Sequence, residues 1–103
     1  MAITSNVLVT TGNVIYTSTN NSVVSVMYFC NTDSTYARNI NVYLVSSGGT
    51  AGSANQIYKD IQIAPKDTFV VDMEKLVLGN GDFISADVSA NASVTSTVSY
   101  VGI

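Results

Sequence analysis

At 103 residues the chain has the length of one ordinary domain, and a second hydrophobic core does not fit within it. Hydrophobic residues make up 47% of it and charged residues only 11%, well under the ~25% charge of a typical soluble domain. The net charge is −3, with Arg38, Lys59, Lys66 and Lys75 dispersed rather than clustered, which argues against phosphate-backbone recognition and hence against a nucleic-acid partner.

Polar positions are filled mainly by Ser, Thr and Asn, whose hydroxyls and amides lose far less on desolvation than ions do. Such a surface suits burial against neighbouring subunits. The contrasting expectation is an acidic extracellular or virion-type β-domain that stays monomeric. Cys30 is the only cysteine and there is no histidine, so an internal disulfide and the common zinc sites are excluded. Lying in an apolar run, Cys30 is expected to act as a small buried hydrophobe. The opening Met1-Ala2-Ile3-Thr4-Ser5-Asn6 lacks the basic segment and apolar core of a signal peptide, which predicts synthesis in the cytoplasm. Asn20-Asn21-Ser22 and Asn91-Ala92-Ser93 lie on the glycosylation pattern but carry no meaning without a secretory route. No apolar run approaches the ~18 residues of a membrane-spanning helix, and no membrane partner is expected.

Short runs rich in Val, Ile, Thr and Tyr, broken by Gly, Asn, Asp and Ser, predict strands and turns. The first strand is expected at Asn6–Thr10 and the second at Val14–Ser18, with turns at Thr11-Gly12-Asn13 and Asn20-Asn21-Ser22. Val23–Asn31 is apolar on both faces, as in a central strand or one whose outer face meets another subunit. Arg38–Ser46 alternates Ile40, Val42 and Leu44 with Asn39, Asn41 and Tyr43. Ser46 to Asn55 is a small-residue loop and the least constrained part of the chain. Gln56–Ile63 follows, with Ile57, Ile61 and Ile63 expected on one side, joined there by Lys59 at an exposed end, and Tyr58 on the other. After the turn at Ala64-Pro65-Lys66-Asp67 come Thr68–Met73, a bend at Glu74-Lys75, and Leu76–Leu78. Asn80-Gly81 predicts a tight hairpin turn into Phe83–Val88, and Val94–Val101 closes the series. Eight or nine short strands at this spacing predict an all-β fold, an antiparallel β-sandwich forming a single domain over residues 1–103.

Candidate chemistry is sparse. Asp67, Asp72, Asp82 and Asp87 could meet as an acid–base or calcium site, but each sits at a strand end or beside Gly or Lys, and no Asp-x-Asp-x-Asp-Gly spacing supports calcium. Serine or cysteine nucleophiles lack a histidine base, and Gly48-Gly49 and Gly79-Asn80-Gly81 lack the lysine of a phosphate loop. The expectation is therefore a non-enzyme without cofactor or metal. Six tyrosines and no tryptophan raise the question of sugar stacking, which Tyr43 and the Gly48–Asn55 loop would serve; half-buried strand positions are the commoner explanation of the tyrosines, and Tyr43 and Tyr58 could form a cross-strand pair. The candidate interface residues are Val24, Val26, Phe29, Tyr43 and Tyr58.

The runs Ile57-Tyr58-Lys59-Asp60, Pro65-Lys66-Asp67-Thr68, Met73-Glu74-Lys75-Leu76-Val77-Leu78 and Asn80-Gly81-Asp82 resemble small virion proteins of tailed bacteriophages. Ser5-Asn6-Val7-Leu8-Val9-Thr10 and Met27-Tyr28-Phe29-Cys30-Asn31 are similar to the same group. The resemblance implies a β-sandwich subunit, present in many copies and homo-oligomeric, whose partners are other virion proteins of the capsid or tail. It brings no active-site residues. A capsid decoration or cement subunit is the expected role, with a tail- or fibre-associated protein or a host-glycan-binding module as alternatives.

Overall fold

The structure, a computed structural model, describes residues 2–72 and 75–103. Among these residues there are nine strands, β1 (Ala2–Val7), β2 (Asn13–Thr17), β3 (Ser22–Asn31), β4 (Arg38–Val45), β5 (Gln56–Ile63), β6 (Thr68–Val71), β7 (Leu76–Leu78), β8 (Phe83–Val88) and β9 (Val94–Gly102). They form two antiparallel sheets. The five-stranded sheet has the order β1-β9-β3-β6, with β7 also paired to β3, and the four-stranded sheet has the order β2-β8-β4-β5.

β6 and β7 are two halves of one edge. Thr68 to Val71 pair with Cys30 to Met27, and Leu76 to Leu78 then pair with Val24 to Ser22, so the chain runs along the same side of β3 twice. The strand expected to reach Met73 ends at Val71, while Met73 itself and the Glu74 half of the expected bend lie outside the described residues. The first strand also lies earlier than expected. Residues 2–7 pair with β9, and Leu8 turns inward with no solvent exposure, held by Leu8 N–H to the Val94 carbonyl (2.9 Å).

The core lies between the sheets and is built from alternate residues of both, including Ile15, Met27, Phe29, Ile40, Val42, Ile84 and Val98. Period-2 alternation produces this, because successive side chains of a strand point to opposite faces. Each large aliphatic or aromatic group so buried is worth about 1.5–3 kcal/mol. Among the register shifts that break the parity, two reposition residues singled out above. In β3 the register shifts between Val24 and Val26, so Val24 and Met27 both point inward and Val26 points out. In β5 the register with β4 shifts between Ile40 and Val42, where Asp60 adopts φ 51°. The extra residue sends Tyr58 inward together with Ile61 and leaves Ile57 exposed, correcting the expected facing of Tyr58 and Ile57.

The Gly79–Asp82 turn is not a hairpin turn. β7 belongs to the five-stranded sheet and β8 to the other, so the turn carries the chain across the sandwich. It is fixed at four points: Ser18 N–H donates to the Asp82 carbonyl (2.8 Å), Gly81 N–H to the Ser18 carbonyl (2.9 Å), Ser47 N–H to Asp82 Oδ1 (2.9 Å), and Asn20 N–H to Asn80 Oδ1 (2.8 Å). The small-residue loop between β4 and β5 also has internal structure. A 3-10 turn spans Ser53–Asn55, and the Asn55 side chain donates to the Thr50 carbonyl and accepts from Gly52 N–H.

Candidate interaction surfaces

The outer faces of the two sheets differ in chemistry. On the five-stranded sheet, the outward positions alternate with core residues such as Phe29 and Val98, and they carry Ile3 and Val7 on β1, Val26, Tyr28 and Cys30 on β3, and Thr95 and Thr97 on β9. Val70 and Val77 extend the face along β6 and β7. Ile3 and Val77 are each 68% exposed, and Tyr28 and Val70 each 42%. Among the described residues, no Asp, Glu, Lys or Arg occurs in a strand of this sheet. Asp67, Asp72 and Lys75 lie at the ends of β6 and β7, on the rim, where Lys75 Nζ donates to the Ser25 carbonyl (3.1 Å).

The four-stranded sheet holds the charged strand residues, Arg38, Lys59, Asp60 and Asp87. Its outer face bears a connected polar network. Asn41 Nδ2 donates to Asp87 Oδ1 (2.7 Å) and the Tyr43 hydroxyl to Asp87 Oδ2 (3.1 Å), while Asn41 Oδ1 accepts from Gln56 Nε2 and from Asp60 N–H (2.9 Å each). Partial burial, and then the Asp87 carboxylate beside it, push the Tyr43 phenol above its usual range, so it stays a neutral donor.

The five interface candidates fall in three places. Val24 (2% exposed) and Phe29 (0%) are core residues, which corrects their reading as an interface: the inward parity of β3 removes them from any partner. Tyr58 is half-buried against the core and meets the Phe69 ring edge-on at 5.6 Å. Val26 lies on the uncharged face and Tyr43 on the polar one. Tyr43 and Tyr58 are therefore not a cross-strand pair; their partners are Gln56 and Val42 respectively. Cys30 is half-exposed on the outer face and not buried, because it alternates with the inward Phe29 and Asn31. Ile3, Tyr28, Val70 and Val77 escaped the sequence reading, although the lack of charge across their strands was a visible signal.

The four aspartates do not converge. Asp82 and Asp67 cap turns, Asp87 sits in the Asn41–Tyr43 network, and Asp72 lies between β6 and β7. Among the described residues, no three His, Cys, Asp or Glu side chains are grouped to hold a metal ion. A shallow open cleft of about 200 Å3, lined by Leu44, Val45, Ser46, Val77, Leu78 and Asp82, falls below the usual ~300–1,000 Å3 of a ligand pocket. The described residues include no helix long and apolar enough to cross a membrane. Comparison with family models, curated proteins and solved structures yielded no match.

Proposed function

We propose that the protein is a non-enzymatic structural subunit of a bacteriophage virion, a decoration or cement protein that packs between other virion proteins. The observation that carries the assembly part of this reading is the uncharged outer face of the five-stranded sheet, with Ile3, Tyr28, Val70 and Val77 open to solvent. Large apolar side chains exposed together on one uncharged sheet face, here interleaved with Ser and Thr, are a mark of an interaction surface. Interface centres are depleted in charge, as this face is. The phage part rests on the sequence resemblance. Co-sedimentation of the tagged protein with purified particles, followed by gold labelling, tests it: labelled capsids are expected, and protein found only in the soluble lysate overturns it.

A second reading has one specific observation in its favour. The Asn41, Tyr43, Gln56 and Asp87 network presents amides, a phenol and a carboxylate on one face, the donor and acceptor types that bind sugar hydroxyls. Glycan-array binding that is lost in Tyr43→Ala supports a host-glycan module; an empty array removes it.

A further inference from the structure

The Asn80-Gly81 pair between β7 and β8 carries a reactivity of its own. An asparagine followed by glycine cyclises more readily than any other asparagine, because glycine has no Cβ to crowd its amide nitrogen. The Gly81 nitrogen gives up its proton and attacks Asn80 Cγ. The new C–N bond closes a five-membered succinimide, and the side-chain nitrogen takes up a proton and leaves as ammonia. Water then opens the ring at either carbonyl. Attack at Cγ leaves an ordinary aspartate, and attack at the main-chain carbonyl leaves an isoaspartate whose chain runs on through Cβ and Cγ. The reaction is intramolecular and needs only water besides.

Asn80 is exposed, so water reaches it, but the folded turn opposes ring closure. Gly81 N–H donates to the Ser18 carbonyl (2.9 Å), which ties up the proton that must leave. Asn20 N–H donates to Asn80 Oδ1 (2.8 Å) and pins the side-chain amide to the loop between β2 and β3. That second bond also polarises the Asn80 side-chain carbonyl, which by itself favours attack. Backbone geometry outweighs it. Asp82 N–H donates to the Gly79 carbonyl (3.1 Å), and of the two central residues Gly81 alone has positive φ, 86°. This is a type II turn, whose first central residue holds ψ near about +120°. Ring closure needs the Asn80–Gly81 peptide plane turned to the opposite side, at negative ψ. Turning it there breaks the bond from Gly81 to Ser18.

We propose that Asn80 is a deamidation site gated by the fold, withheld while the turn between β7 and β8 is closed and reactive whenever it opens. Isoaspartate adds one carbon to the main chain, so the paired bonds of Ser18 to Gly81 and Asp82 (2.9 and 2.8 Å) no longer fit together. A chain that lingers open is thereby marked, and its crossing between the sheets does not close as before.

The test is peptide mapping by mass spectrometry on the purified full chain at mildly alkaline pH, folded in buffer and unfolded in urea. A Val77–Phe83 peptide kept in both solvents corrects for the solvent itself. In urea Asn80 is expected to react fastest of the asparagines. In the folded chain a rate at least about tenfold slower is expected, equivalent to an opening free energy above about 1.4 kcal/mol. Asp82→Ala removes the carboxylate that holds Gly79 N–H and Ser47 N–H (2.9 Å each) and leaves Asn80, Gly81 and their partners Ser18 and Asn20 in place. Its folded rate, divided by its own rate in urea, is expected to rise severalfold. Should that variant fail to fold, hydrogen exchange on the native chain decides, with the Gly81 amide expected to be protected against the peptide. Another asparagine reacting faster in urea, a folded rate within tenfold of the unfolded one, an unchanged ratio in folded Asp82→Ala, or a Gly81 amide exchanging as freely as in the peptide overturns the proposal.

Discussion

Asn31 shows how one polar side chain can organise a sandwich interior. It is fully buried at the end of β3, and its Nδ2 donates to the Tyr36 and Ile63 carbonyls (3.0 Å each) while its Oδ1 accepts from Asp33 N–H. These bonds satisfy backbone groups at the point where the chain leaves one sheet for the other. Asn31→Ala strands them without partners, and a loss of about 2–3 kcal/mol is expected, measured by urea unfolding. Beside it, Asp33 accepts from Thr35 and Tyr36 N–H and pairs with Arg38 (2.6 Å), and these bonds, the backbone ones foremost, hold its carboxyl below the usual range. A depressed folded pKa stabilises the fold above the unfolded value of about 3.9 and is lost as pH falls through the folded value. Thermal melts at stepped pH should therefore show a smaller acid-side decline in Asp33→Asn than in the native chain. Equal declines would mean that the carboxylate contributes nothing to the acid limb.

Among the elements, the turn between β7 and β8 is the most tightly specified. Gly81 has φ 86°, and a Cβ there would lie 2.5 Å from Ser47 Oγ and 3.0 Å from Ser47 Cβ. Gly81→Ala must strain the backbone and displace Ser47, whose N–H bonds Asp82. A destabilisation of about 1–3 kcal/mol is expected, read as a lowered Tm. Gly48→Ala is the comparison: it also has positive φ, but a Cβ there meets nothing within 4 Å, so it should cost less. The Asn80-Gly81 pair was legible as a tight turn, since only Gly and Asn enter left-handed angles readily. Whether that turn joins strands within a sheet or across two was not legible, because local backbone angles carry no information about the sheet each flanking strand enters.

For the whole molecule, the all-β class and the positions of most strands were legible in the sequence, because alternation, β-branched residues and Gly, Asn and Pro turns act over a few residues and are written locally. The absence of charge from the strands Ala2–Val7, Ser22–Asn31, Thr68–Val71, Leu76–Leu78 and Val94–Gly102 was equally present there, but nothing local says that these segments share one sheet. Only the tertiary structure gathered them, pairing β1 with β9 and β3 with β6, β7 and β9 through contacts distant in sequence. It also decided the facing of individual residues. Bulges at Ser25 and near Asp60 shift the alternation by one residue, sending Val24 and Tyr58 inward and Val26 outward. A single inserted residue reverses every facing beyond it, and its placement depends on the partner strand it must match. Composition thus determined that the surface would be poor in charge, and the pairing of remote strands decided that the described strands of one sheet would carry none.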